Sequence, residues 1–149
     1  MSSWLYEQVK ERQLDNVLLL GRHPLEKMPP LFAAADALLV SLRTNEVFAN
    51  TIPGKVQAYL ASGKPVIAMI DGEAARVIHE AKAGMACGSG DAEGLANIVR
   101  AMVAMPSEQR EIMGSAGRRY YLEHFAKDSL FDRLESLFRH ASLRRNEKN

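Results

Sequence analysis

Hydrophobic positions along the chain follow two alternating patterns. Short apolar runs suited to buried strands occur at Asn16–Gly21 (NVLLLG), Ala37–Leu42 (ALLVSL), Pro65–Met69 (PVIAM) and Gly84–Cys87 (GMAC). Between them the apolar residues recur at helical spacing. Trp4, Leu5, Val9 and Leu14 predict an opening helix, and Leu31–Ala35 a short one. Pro53–Ala61 carries Val56, Tyr59 and Leu60 on one side, and Ala74–Ala81 carries Val77 and Ile78. Leu95, Ile98, Val99, Met102 and Val103 mark a further helix. From Ser107 onward the pattern is helical throughout, with two long helices expected to meet near His124-Phe125. Near-continuous apolar strands separated by helices are the signature of a parallel sheet covered on both faces. The expected fold is therefore α/β, a doubly wound parallel sheet with long C-terminal helices.

Punctuation agrees with that reading. Ser62-Gly63-Lys64-Pro65 places a glycine where a helix can end left-handed and a proline where the next strand begins. Asp91 and Ser107 are expected helix caps. A doubly wound sheet normally opens with a strand, whereas this chain opens with a helical pattern, so a strand is expected upstream.

Composition narrows the function classes. The 149 residues are 47% hydrophobic and 25% charged, as in an ordinary globular domain, and a chain of this size buries roughly 70% of its unfolded surface. Nineteen Lys plus Arg against eighteen Asp plus Glu leave a net charge of +1, without the basic stripe of a nucleic-acid module. Cys87 is the sole cysteine, which rules out an internal disulfide and a cysteine-based metal cluster and suits a cytoplasmic setting. The charged Met1–Leu14 stretch does not read as a signal peptide. Apolar runs fall short of the roughly 20 residues that span a bilayer. The basic tail of Arg139, His140, Arg144, Arg145 and Lys148 reads as a solvated helix end, with peripheral contact to an anionic membrane as the alternative.

The stretch Asn45–Lys55 (NEVFANTIPGK) carries the candidate chemistry. Loops after strand ends are where open α/β sheets bind ligands. Pro53 suits the first turn of a helix, Gly54 admits a ligand close to the backbone, and free amides with the helix dipole favour an anion. Lys55 adds a formal charge. The same residues also fit an ordinary loop before a Pro-started helix. They do not form a Walker A loop, because Ala49 and Val56 stand where that pattern needs glycine and Ser or Thr. Gly88–Gly94 imitates a dinucleotide fingerprint, but Asp91 and Glu93 would repel a pyrophosphate, so a structural cap is expected there. His23, His79, His124 and His140 lack metal-site spacing, so no metal is expected, and no nucleophile motif is present.

Taken in order, several motifs resemble those of the group 1 retaining glycosyltransferases. NVLLLGRHPLEKMPPLFAAADALLVSL resembles their "N-V-x-F-x-G-x-V … L-x-x-L-Y-x-x-A-D-x-x-x-x-P-S" run, and ASGKPVIA resembles their "A-S-G-K-P-V-I-A" hallmark. Cys87-Gly88-Ser89-Gly90-Asp91 resembles "v-p-p-g-D", and Met113-Gly114 to Phe125 resembles "M-G-x-x-A-R-x-x-x-x-x-x-F". The resemblance spans about Asp15 to Ala126 and implies one half of a GT-B architecture, the carboxy-terminal, nucleotide-sugar-binding half. The amino-terminal acceptor domain and the first donor-domain strand would be absent from this chain, leaving it inactive by itself.

What the resemblance implies for residues is partial. The family's E-x7-E pair places its second Glu at Ala58, so that carboxylate is missing. Its first falls on Asn50, or on Glu46 if an insertion follows, which makes Glu46 the catalytic candidate. A subgroup reading "T-x-P-x-K" is closest and makes Asn50, Thr51, Pro53, Gly54 and Lys55 the donor-contact candidates, with Arg22 beside the base. Gln57 could replace the lost ribose acceptor but points about 100° away from position 58. Asp71–Glu73 either approaches the sugar or forms a plain turn. The implied reaction is glycosyl transfer from a nucleotide diphosphate sugar, a substrate rather than a cofactor, to a glycan, lipid-linked or small-molecule acceptor. A GT-B-type sugar-nucleotide epimerase and a non-catalytic Rossmann-like nucleotide-binding or interaction module are the other readings.

Overall fold

The computed structural model describes residues 3–43 and 51–146, with side chains to residue 140. These fall into two compact units, Met1–Leu31 and Phe32–Asn149.

In the first unit, helix α1 (Ser3–Glu11) buries no residue, and Gln8 bonds both Glu11 and Arg12 on its surface. A 3-10 turn at Leu25–Lys27 follows Pro24. The strand expected at Asn16–Gly21 is not formed: the segment is irregular, with Leu18 79% and Leu20 61% exposed. An apolar run satisfies the periodicity of a buried strand, but a strand exists only as one side of a hydrogen-bonded ladder. This unit offers no partner strand among its described residues.

Helix α2 (Met28–Ala34) leads into the second unit and strand β1 (Leu38–Ser41). Then come α3 (Gly54–Ser62), β2 (Val66–Met69), α4 (Glu73–Glu80), β3 (Gly84–Cys87) and α5 (Ala92–Ala104). Helices α6 (Ser107–His124) and α7 (Lys127–Asn146) close the chain and meet at Phe125-Ala126, whose amides both donate to the Tyr121 carbonyl. The sheet is parallel in the order β1-β2-β3, with Leu38 beside Val66 and Val66 beside Gly84. Three of the four expected strands are thus observed.

Alternation along the strands sorts the two faces. Leu38, Val40, Val66 and Ala68 point into a core completed by Val56, Tyr59 and Leu60 of α3 and by Ala74, Val77 and Ile78 of α4. Phe32 packs edge-on against Tyr59 at 5.3 Å, and the Tyr59 hydroxyl donates to the Leu39 carbonyl at 3.3 Å. Burial raises the Tyr59 pKa above its ordinary value. Helix α5 covers the other face over β2 and β3, burying Met102. The sheet is doubly wound, as expected.

Glycines allow the tightest contacts. Gly63 ends α3 in the left-handed conformation (φ 70°) that favours glycine. Helix α6 lies against that turn: a Cβ on Gly114 would stand 2.1 Å from the Gly63 carbonyl oxygen. A Cβ on Gly117 would meet Ala83 at 2.8 Å and Leu60 at 3.2 Å. The segments ASGKPVIA and MGSAGR, some fifty residues apart in the chain, therefore touch each other.

Two helix starts differ in how they are capped. Asp91 caps α5 as expected, its carboxylate accepting from the Gly94 amide at 2.8 Å. Ser107 is instead the first residue of α6, preceded by Pro106 with no side-chain cap. Pro106 makes the entry there, its φ of −55° set by the ring and its ψ of 145° extended, and its carbonyl accepts from Gln109 and Arg110.

Gly114→Ala should lower stability by about 1–3 kcal/mol through overpacking against backbone that cannot yield, read from urea unfolding midpoints. Asp91→Ala should cost about 1 kcal/mol for the lost cap, with α5 amide exchange accelerating in its first turn.

Candidate functional site at the carboxyl edge of the sheet

Each strand of a parallel sheet hands its chain to the next helix at the same edge, so helix starts collect there. In the second unit this edge carries Leu42 after β1, Ile70-Asp71-Gly72 after β2 and Gly88-Ser89-Gly90 after β3. Ladder bonding continues one residue beyond the strands, with the Leu42 amide donating to Met69 and the Ile70 amide donating to Cys87. Gly72 (φ 75°) and Gly90 (φ 83°) turn the chain left-handed into α4 and α5.

The start of α3 is open. Pro53 stands as the cap residue, one position before the first helical turn where the sequence placed it, because its ψ of 141° is extended. Its carbonyl accepts from Val56 at 2.9 Å and from Gln57 at 3.3 Å. The Gly54 and Lys55 amides make no backbone hydrogen bond among the described residues. Both residues are exposed, and a Cβ at Gly54 would meet nothing within 4 Å. Two open amides, the positive end of a nine-residue helix and an ammonium group thus stand together. Such a group of donors holds a phosphate or carboxylate.

The other predicted residues distribute unevenly. Thr51 is exposed just ahead of Pro53. Glu46 and Asn50 lie outside the described residues. Arg22 belongs to the first unit, exposed in the irregular stretch after Gly21. Ala58 is exposed, and Gln57 turns from it to donate to the Ile52 carbonyl at 3.3 Å. His79 is exposed, and His124 stacks on Tyr120 at 4.1 Å. Among the described residues no three His, Cys, Asp or Glu side chains converge as a metal site would require.

Two contacts at this edge escaped the sequence reading. The Ser89 hydroxyl donates to the Leu42 carbonyl at 2.6 Å, and the Ser89 amide donates to Asp71 Oδ1 at 3.0 Å. A serine within a glycine turn at a strand end was the available signal. Asp71 is therefore engaged in joining the loops. Beneath them the Cys87 sulfur lies 3.6 Å from both the Ala68 and the Asp91 carbonyl oxygens, and its one S–H donates to either. Burial, with the Asp91 carboxylate adding to it, pushes that thiol's pKa up, which leaves it protonated and weakly nucleophilic at neutral pH.

Comparison with known proteins adds to this geometry. HepE from Anabaena, solved in complex with UDP-glucose, superposes with a TM-score of 0.74 over 92% of this chain at 20% sequence identity. The chain covers 36% of HepE, about a third of its length. No curated protein matches. Helices α2 to α5 with all three strands fall within residues 2–105, which match the family model described as "Glycosyl transferases group 1". That match takes in more than half of the chain, including the open start of α3 and the Ser89 turn, and the chain belongs to the group 1 glycosyl transferases.

Proposed function

We propose that this chain is the nucleotide-sugar-binding, carboxy-terminal half of a retaining GT-B sugar transferase. The observation that carries the reading is the open start of α3: unpaired amides at Gly54 and Lys55 beside the exposed Lys55 side chain, at the ligand-binding edge of a group 1 chain. The likeness to a structure holding UDP-glucose supports a nucleoside diphosphate sugar as the ligand. The sugar donor is a substrate, and no resident cofactor is invoked. The acceptor is a glycan, a lipid-linked sugar or a small molecule, and the residues that bind it belong to a second domain.

The chemistry asked of these residues is modest and physical. As the glycosidic bond to the diphosphate breaks, the sugar gains oxocarbenium character and negative charge grows on the leaving phosphate. Donors already aimed at that charge stabilise it without reorganising. The Gly54 and Lys55 amides supply fixed dipoles, and the Lys55 ammonium supplies a full charge. Thr51 contributes its hydroxyl to the same ligand, and the family resemblance proposes Asn50 as a further donor contact, Glu46 as the catalytic candidate and Arg22 for the base. Without the family's second carboxylate at Ala58, the ribose is held less firmly, and recognition rests more on the diphosphate.

Calorimetry with UDP, GDP and UDP-glucose tests the reading directly. The wild-type chain should bind a nucleoside diphosphate, and Lys55→Ala should weaken it by about 10- to 100-fold, the worth of a charge-assisted phosphate contact. Binding that ignores this substitution would remove Lys55 from the site, and no binding of any diphosphate would reject the donor assignment. Gly54→Ala should leave the melting temperature nearly unchanged, since its Cβ enters open space, while crowding a ligand that approaches the backbone. Its expected signature is weaker diphosphate binding at constant stability.

A further inference from the structure

The bond from Ser89 to Leu42 joins parts of the sheet that no ladder can join. In the order β1-β2-β3 the outer strands are each bonded to β2 and not to each other. Adjacent strands lie about 4.8 Å apart, so the ends of β1 and β3 stand roughly 10 Å from one another. The turn after β3 brings Ser89 toward β1, and its hydroxyl meets the Leu42 carbonyl at 2.6 Å, within the usual range for a hydroxyl donor. Asp71, which follows β2, holds the Ser89 amide at 3.0 Å and so fixes the turn that aims the hydroxyl. One serine thus ties the exits of all three strands.

Leu42 is where the chain leaves β1 on its way to Thr51, Pro53, Gly54 and Lys55. A carbonyl pinned there fixes the departure point of that connection. We infer that Ser89 is a positioning residue of the donor site: through Leu42 it sets the exit of β1 that leads to the diphosphate-binding start of α3. This role rests on the donor reading above, and Ser89 itself touches no part of the donor. Removing the hydroxyl leaves the Leu42 carbonyl without that partner, so that the two outer strand ends are coupled only through their ladders to β2.

The test compares wild type, Ser89→Ala and Ser89→Thr in the whole chain. Three quantities are measured: UDP-glucose affinity by calorimetry, amide exchange at Leu42 by NMR, and the melting temperature. Ser89→Ala should raise the UDP-glucose Kd about three- to tenfold, the worth of one hydrogen bond, and accelerate Leu42 exchange by a similar factor. Ser89→Thr, which keeps the hydroxyl, should restore both, and the melting temperature should stay near that of wild type. Unchanged affinity in Ser89→Ala, with wild type binding normally, would overturn the positioning role alone. A loss of affinity that follows a large drop in melting temperature and is not rescued by threonine would place Ser89 in folding, and overturn it too. If wild type binds no UDP-glucose, the donor reading falls first and takes this role with it.

Discussion

The close approach of α6 to the end of α3 is the constraint on which this structure depends. Gly63 turns the chain left-handed there, and Gly114 lets helix backbone lie against that turn's carbonyl without an intervening side chain. One turn further along, Gly117 admits α6 over Leu60 and Ala83. Because Leu60 and Val56 are fully buried between this contact and the sheet, α3 has little freedom to roll or slide. Its opposite end is thereby held at the carboxyl edge, with two amides and a lysine facing solvent.

The two ends of α3 consequently face opposite demands. At the C-terminal end, glycines and apolar side chains exclude water, and any added methyl must displace backbone. At the N-terminal end, the same helix leaves donors unpaired, a local cost in hydrogen bonding that the buried end supports. Buried apolar contacts run along the helix–sheet core, and open hydrogen-bond donors stand at the edge. That separation lets the loops at the edge vary in chemistry while the sheet remains the same. The hydrogen bonds among Leu42, Asp71 and Ser89 extend order from the core into those loops without making them apolar.

Much of this was legible because it is local. Val56, Tyr59 and Leu60 at helical spacing, the continuous run from Val66 to Met69, and Gly63 before Pro65 each report a preference settled within a few residues. Asp91 as a cap belongs to the same class, since its acceptor and the Gly94 amide are three residues apart. The misreadings were also local inferences, defeated by something the window did not hold. Asn16–Gly21 has a strand's composition but finds no ladder in its own unit. Ser107 has the chemistry of a cap, but Pro106 already sets the extended geometry of the helix entry. Pro53 was placed one residue too far inside α3 for the same reason.

The candidate site divides along the same line. By itself the sequence determined the α/β class, three of the strands, the helices between them and the T-x-P-G-K residues at which a helix starts, because each depends on side-chain type and short spacing. Only the tertiary structure decided that Gly54 and Lys55 present open amides at the sheet's edge, that Gly114 rests on Gly63, and that Ser89 reaches Leu42 across β2. Those facts join residues 47 to 51 positions apart in the chain or depend on what surrounds a residue in space. No periodicity encodes them, since they arise only when separate elements pack and decide which polar groups find partners.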